Sequence, residues 1–566
     1  MIERVVIRKG AYFDPFTLMQ AAEHARTHDA VTHAAVGMGE PLNLEIIAKR
    51  HGYELGEDSL EANDLVIAVR ADTEEAADGA VAAIEARLLE RGGTREVTEV
   101  GSYEFASSYE RPDARVRRRD GRGAHDAARE LLADLEPGAD EIARANDEAV
   151  GRMQEARPLV VGIGTAGDLL PEMSPRTFLH AGPPIEWADM SGPMRGAIIG
   201  AALLEGLASD PEDAVRRAEA GEFEFGPGHE RGALGPMVGV ISHSMPVWIV
   251  ENEARGNRAY CNLSEGYGEV LRFGAYSSTV VERLRWMSAV LAPVLRAALE
   301  LLPTPLDVRA ITADAVQMGD EVHNRNRAGT SLVVRTLAPV FPLVDAPSGD
   351  VAEVARFVAV NDYFYLNLSM AGGKATADAA AGIERSTIVT AMARNGTEFG
   401  LRVSGTGERW FTAPAGAILG LYRPGYGADD ANPDVGDSTI TETIGLGGFI
   451  MAASPAITHF AGISAEEALR ATLDMYAITW SESLNYRIPA LGYRGSPLGI
   501  DCRKVVQTGI VPIVNTGIAH REPGVGVIGG GIVRVPPEPF ADALRALARH
   551  GLGGTATASR SPSQRV

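Results

Sequence analysis

The sequence predicts an α/β protein in which a small N-terminal parallel α/β domain is linked to a large mixed α+β domain. Three observations carry that expectation. Strand-like and helix-like segments alternate through residues 1–92, the pattern of a parallel sheet covered by helices. The run RPDARVRRRDGRG at 111–123 is basic, turn-rich and without apolar period, as in a solvated tether. Beyond residue 139, helical and strand patterns mix irregularly around glycine-punctuated polar clusters. The expected boundaries are therefore a domain at 1–92, a linker at 93–138, a large domain at 139–552 and a disordered tail at 553–566.

Composition narrows the function. The chain has 566 residues, 45% of them hydrophobic, which is ample for more than one core. A net charge of −22 argues against nucleic acid or an anionic membrane as partner. Only Cys261 and Cys502 occur, with no paired-thiol motif. A disulfide framework or zinc-thiolate site is not expected, and a reducing cytoplasm is the natural compartment. The N-terminus lacks a signal-peptide apolar core. The most apolar stretch, 287–303, is broken by Arg296 and Glu300, so no membrane span is expected.

In chain order, strands are expected at 2–7, 30–36 and 65–69. Asp14 and Pro15 suit the start of a helix, and another helix at 73–91 carries apolar Ala76, Ala80, Ile84 and Leu88. A further helix is expected at 140–156. LVVGIGTAG at 159–167 contains GxGxxG after a strand, but Pro171 forbids the long helix of a dinucleotide site, so no nucleotide cofactor is assigned. GNRAYCNLSEG at 256–266 gathers Asn257, Arg258, Asn262 and Glu265 on a loop, where binding groups concentrate.

Residues 307–327 read as a helix ending in QMGDEVHNRNR. Asp320, His323 and Arg327 would share one face, with Glu321 and Asn324 beside it. A carboxylate beside an imidazole can fix its tautomer for general-base work; a salt-bridged helix end is the equal alternative. Two ligands without a third make no metal site, so no metal and no cofactor are expected. STIVTAMARNGTEFGLRVSGTGERWFTAP at 386–414 reads as strand, turn, strand. It carries Arg394, Asn395, Arg402, Ser404 and Arg409, either an anion site or an internally paired hairpin. NPDVGDSTITET at 432–443 offers Asp434, Asp437, Ser438, Thr441 and Glu442. These can cap a helix, bind a cation or oppose the arginines. Asn515, Thr516, His520 and Arg521 sit where an apolar strand meets a Gly-rich loop.

RKGAYFDPFTLM and VGMGEPLN, within the first ninety residues, resemble the opening of FdrA proteins. HAGPP, SGPMRGA, GNRAYCNLSEG, RFGAY, MGDEVHNRN, TAMARNGTEFGLRVSG, RWFTAP, NPDVGDSTITET and NTGIAH, spread over 139–552, resemble the YlbE-like family. That family includes oxamate carbamoyltransferase subunits of the AllG type. The resemblance implies transfer of a carbamoyl group between carbamoyl phosphate, or phosphate in reverse, and a small carboxylic acid amide or amine. It also implies FdrA-like or other subunits as partners and a homo-oligomer.

From residue chemistry, His323 with Asp320 and Glu321 is the candidate base and His520 its rival. Arg394, Arg402 and Arg409 are the candidate anion ligands, facing the Asp320–His323 helix. Asn257, Arg258, Asn262, Glu265, Asn326, Asn395, Ser404, Asp437, Ser438, Glu442 and Asn515 complete the candidate substrate-binding set. The competing readings are a CoA- or ATP-linked acyl transferase and a noncatalytic metabolite-binding subunit.

The linker assignment is checked by limited proteolysis. Cleavage between Arg115 and Arg122 should leave a stable fragment of about 45 kDa; resistance throughout that run would move the boundary.

Overall fold

Strand β1 (Ile2–Arg8) and strand β2 (Val31–Met38) flank β3 (Leu65–Ala71) in the N-terminal sheet of the computed structural model. The structure describes residues 2–9, 30–38, 52–55 and 64–92 with scattered positions between them, then 130–423, 425–458 and 462–552. The expected tail and most of the expected linker, 93–129, lie outside the described residues. The described residues form two units.

The N-terminal sheet is antiparallel, not parallel as expected: both β1 and β2 run against β3. Alternation of strand and helix along the chain does not say which strands become neighbours. Here β3 inserts between two strands of like direction, a split arrangement. Its LVIAV run is apolar throughout because the strand is central and buried. Helix α1 (Glu74–Gly92) covers one face, burying Ala80, Ile84 and Leu88 against Leu65, Ile67 and Val69.

The larger unit begins earlier than expected. Residues 130–138 are helical and bury Leu131 and Leu135 in its core, leading into α2 (Ala139–Glu155). Its main sheet comprises β4 (Pro158–Thr165), β5 (Ala233–Leu234), β6 (Pro246–Asn252), β7 (Arg258–Asn262) and β8 (Leu306–Asp307), in the order β8-β4-β6-β7-β5. Only the β5–β7 pair is parallel.

Helix α3 (Val308–Gln317) starts under an Asp307 cap on the Ala310 N–H, 3.0 Å. It ends ten residues before the expected boundary at 327. Met318 closes it, and Gly319, at φ +97°, turns the chain away, a conformation glycine adopts without a Cβ clash. Residues 320–326 are therefore a loop, and a new helix, α4 (Arg327–Leu337), follows. Helix α5 (Phe364–Asp378) is buried on every side from 364 to 377. It lies on β6 and β7, with Phe364 edge-on to Trp248 at 5.8 Å. A Cβ at Gly372 would come within 2.6 Å of Val308, so glycine there permits the close approach to α3.

The predicted strand–turn–strand is present as β9 (Val389–Asn395), β10 (Glu398–Val403) and β11 (Phe411–Pro414), all antiparallel. Then come β12 (Leu419–Tyr422), β13 (Val435–Gly436, paired to β9), the short α6 (Ile440–Thr443), β14 (Ile513–Ala519) and β15 (Val527–Arg534). Strands β12, β15 and β14 make a second antiparallel sheet. Among the described residues no helix is long and apolar enough to cross a membrane.

The register Arg394↔Phe399 and Ala391↔Arg402 puts Arg394 and Arg402 on opposite faces of the hairpin. The guanidinium of Arg394 is buried and fully used. It grips Asp434 with two bonds of 2.7 and 2.9 Å and donates also to the Gly436 carbonyl, Thr439 and Thr516. Asp434→Ala would leave that charge buried without its counter-ion. Urea unfolding at pH 7 should show a loss of about 3–5 kcal/mol; a loss under about 1 kcal/mol would mean that the pair is not holding this sheet.

Candidate functional site

Where the chain leaves α3, its side chains part company. Asp320 turns to the first turn of α4, accepting the Gly329 N–H at 2.9 Å, and burial pushes its pKa up to about 6. It does not hold His323, because the helical spacing that would have aligned them is absent. Glu321 folds back over its own loop, accepting the N–H groups of Asn324 (2.5 Å), Arg325 (2.6 Å) and His323 (3.2 Å). Val322 between them is at φ +65°, where a β-branched residue is strained. Such strain costs on the order of 1–3 kcal/mol and collects at functional sites.

The partner of His323 is Glu442. Nδ1 lies 2.8 and 2.9 Å from the two carboxylate oxygens, across 119 residues of sequence. Glu442 also accepts the N–H groups of Gly448 (2.8 Å) and Asn515 (3.2 Å) and the Thr441 hydroxyl (3.0 Å). A Cβ on Gly447 would fall 2.1 Å from Oε1, so the bend beside the carboxylate requires glycine. With Nδ1 donating to Glu442, Nε2 is the ring nitrogen left to take a proton. Asn515 Nδ2 donates to Glu321 at 3.2 Å, and Asn326 Nδ2 to the His323 carbonyl at 2.7 Å.

His323 lines a cavity of about 20 Å³, room for a water. Its polar lining is Arg272, Asn324 and Ser438; Tyr267, Phe273 and Tyr363 supply aromatic walls. Strand alternation points Asn515 and Gly517 to this side of β14 and Thr516 to Arg394 on the other. Arg272 is buried between the Phe273 and Tyr363 rings, 5.0 and 5.2 Å from their centres, and burial lowers its pKa. One of its nitrogens, Nη2, donates to the Gly266 carbonyl at 2.7 Å, while Nε has no partner. Asn324 Nδ2, Asn326 Oδ1 and Asn515 Oδ1 are likewise buried without partners. Buried polar atoms are nearly always paired, so this concentration marks a place prepared for a polar guest.

Of the sequence candidates, His323, Glu321, Glu442, Asn326, Ser438 and Asn515 come together here. Glu265 stands behind them, accepting the Leu271 and Arg272 N–H groups at 2.7 and 3.1 Å, and burial raises its pKa. The others do not join. Asn257 bonds Asn252 and the Ala375 carbonyl, and Arg258 pairs with Glu251 on the exposed ladder. Asn262 accepts from Asn367. Asn395 folds the hairpin turn by accepting the N–H groups of Thr397 and Glu398, and Ser404 bonds the Ala380 carbonyl. Arg402 lies over Trp410 and exposed Arg409 over Phe411, so the three arginines form no single anion site. His520 accepts the Glu522 N–H at 3.0 Å and does not line the cavity. Asp437 takes the Gly182 N–H at 2.9 Å in a neighbouring cluster. Sequence reasoning missed Arg272, although RFGAY, which contains it, was among the resembling segments.

A buried histidine–carboxylate pair, open to a cavity with one arginine, gives this mixed α/β protein a centre suited to moving a proton beside a polar ligand. The comparisons add the family. Residues 223–438 match the family model described as oxamate carbamoyltransferase subunit AllG, and residues 1–102 match that described as AllF, heavy metal-associated domain. The chain is 48% identical over 415 residues to oxamate carbamoyltransferase subunit AllG of Escherichia coli (strain K12), covering 73% of this chain and 99% of that protein. It is 47% identical over 408 residues to the uncharacterized protein YahG of the same strain, covering 72% and 86%. A crystal structure of a conserved protein of unknown function from Enterococcus faecalis V583 matches with a TM-score of 0.71 and 47% identity, over 72% of this chain and 98% of that one. The chain belongs to the AllG family of oxamate carbamoyltransferase subunits. Its residues 1–102 contain no cysteine, so they lack the thiolates that soft heavy metals prefer.

Burial lifts Glu321 and Asp437 to about 7 and Asp320 to about 6, from ordinary carboxylate values of about 4. Between roughly pH 4 and 7 the native state thus binds more protons than the unfolded chain, and stability falls as pH rises through that window. Glu321→Gln should shrink the fall in unfolding free energy between pH 5 and pH 7.5. The same fall in variant and wild type would show that Glu321 does not titrate high.

Proposed function

We propose that this chain is a carbamoyltransferase-type enzyme, or the main subunit of one. It moves a carbamoyl group between carbamoyl phosphate and a small amide- or amine-bearing acid such as oxamate. The observation that carries the reading is the His323–Glu442 pair, whose Nδ1 contact leaves Nε2 to act beside a cavity holding Arg272. In this reading His323 takes the proton of the incoming nitrogen, and Glu442 stabilises the imidazolium that results. The Arg272 Nε and Asn324 Nδ2 donors meet charge on the carbamoyl or phosphate oxygens.

The cavity has room for a water but not for carbamoyl phosphate, so its wall must move for substrate to enter. Tyr267 is the lining residue best placed to do so: it is 42% exposed and sits between Gly266 and Gly268, both at positive φ. The relative is named a subunit, which supports further subunits as partners; a homo-oligomer stands as part of the same proposal. Part of this chain has no counterpart in that relative, and the AllF-like residues 1–102 stand as a fused domain of the partner type.

The test is phosphate release from carbamoyl phosphate by the full chain, with oxamate and a panel of small amides and amines. His323→Gln should lower kcat by about 100-fold and leave KM within a factor of a few. Phosphate release that no acceptor stimulates, or equal turnover in the variant, would sink the assignment.

A further inference from the structure

A second set of buried, unpartnered polar atoms lies beside the His323 cavity. Both ring nitrogens of His229, Oδ2 of Asp437 and Oδ1 of Asn367 are sealed from solvent without a hydrogen bond. These residues are close to one another. His229 Nε2 is 3.5 Å from Asp437 Oδ1, and Cys261, which feels the charge of Asp437, shares the Asn262 side-chain oxygen with Asn367 Nδ2, at 3.7 and 3.0 Å. The charge of buried Lys374 acts on both His229 and Asp437. Leu366 and Ser438 tie the two regions together: both belong to the cavity wall, and they adjoin Asn367 and Asp437 in sequence. The His229 ring meets Trp410 edge-on at 5.8 Å.

We infer that His229, Asp437 and Asn367 form a subsite for a small primary amide, the acceptor end of the transfer proposed above, on which this inference rests. The vacant hydrogen-bonding capacity selects the ligand. Asp437 Oδ2 and Asn367 Oδ1 are two acceptors in want of donors. Burial, then the charges of Lys374 and Arg402, keeps the imidazole of His229 neutral, with one N–H to donate. A primary amide offers two N–H donors and one carbonyl acceptor, the complement of that set. An oxyanion would meet two bare acceptors, and a metal ion would meet the positive field of Lys374 and Arg402 with one carboxylate to offset it. The remaining hydrogens of the Lys374 ammonium, which gives one bond of 2.7 Å to Asp378, can meet a carboxylate attached to the amide.

Calorimetric titration of the full chain with oxamate, acetamide and oxalate tests the subsite. Oxamate should bind, and Asp437→Asn and His229→Leu should each weaken it about tenfold, the effect of one lost hydrogen bond. Oxalate, which has no amide, should be weakened by neither substitution, and Asp437→Asn, which removes a like charge, should if anything help it. Because His229 has no hydrogen bond to lose, His229→Leu should keep or raise Tm, which separates binding from folding if Asp437→Asn folds poorly. His323→Gln should bind oxamate as wild type does, so the subsite can stand even if the catalytic role of His323 falls. Three outcomes would overturn the inference: no oxamate binding by wild type, undiminished binding by a folded His229→Leu protein, or a fall in its Tm of several degrees.

Discussion

Glu321 and Glu442 are both fully buried and both reach His323 and Asn515. Two carboxylates withdrawn from water in one place cannot both be left to bare electrostatics. The fold meets both with donors: four residues supply N–H or O–H groups to each carboxylate, yet burial still drives Glu321 up to about 7, with the charge of Glu442 adding to it. The loop at 320–326, the turn after α6 and strand β14 must therefore arrive together. If any one of them is displaced, it strands a buried acceptor, which costs more than an ordinary hydrogen bond contributes. The same requirement explains the strained Val322 and the glycine at 447, whose geometries serve the carboxylates rather than their own segments.

What holds those segments in reach is helix α5. A helix buried all round would be expected to be apolar all round, yet α5 carries Asn367, Ser369 and Lys374 in its interior. Ser369 bonds back to the Leu366 carbonyl, and Lys374 reaches Asp378 one turn on. Tyr365 fixes the helix to α3 by donating its hydroxyl to the Val308 carbonyl and sharing a hydrogen bond with the Thr312 hydroxyl. Asn367 keeps one end committed to Asn262 and the other uncommitted. The helix therefore packs like a core element and still delivers polar groups beside a cavity.

Local signals in the sequence were read well where they acted locally. The hairpin at 386–414 was legible because β-branched alternation, Asn395 and Gly396 act over a few residues. The pairing of the acidic stretch 432–443 with an arginine was one of the open readings, and Asp434 with Arg394 realises it. The helix stops at 317 rather than 327 because Gly319, at φ +97°, turns the chain, and charge spacing carries no sign of that stop. Alternation does not encode strand order, so the N-terminal sheet is antiparallel where a parallel one is expected. Glu442 as the partner of His323 was out of reach, since nothing local links residues 119 apart. Asp320 looked the better partner only because it was nearer along the chain.

The stretch from Asp434 to Glu442 shows why composition alone could not divide structural from functional acids. Asp434 is consumed by Arg394. Asp437, three residues on, has one oxygen on Gly182 and the other on nothing. Ser438 lines the cavity, and Glu442 positions the imidazole. The chain runs from strand β13 through a turn into α6, and each change of direction aims the next polar side chain at a different neighbour. Similar carboxylates in one short segment thus acquire three environments, and it is the partners they meet, not their spacing, that set what each can do.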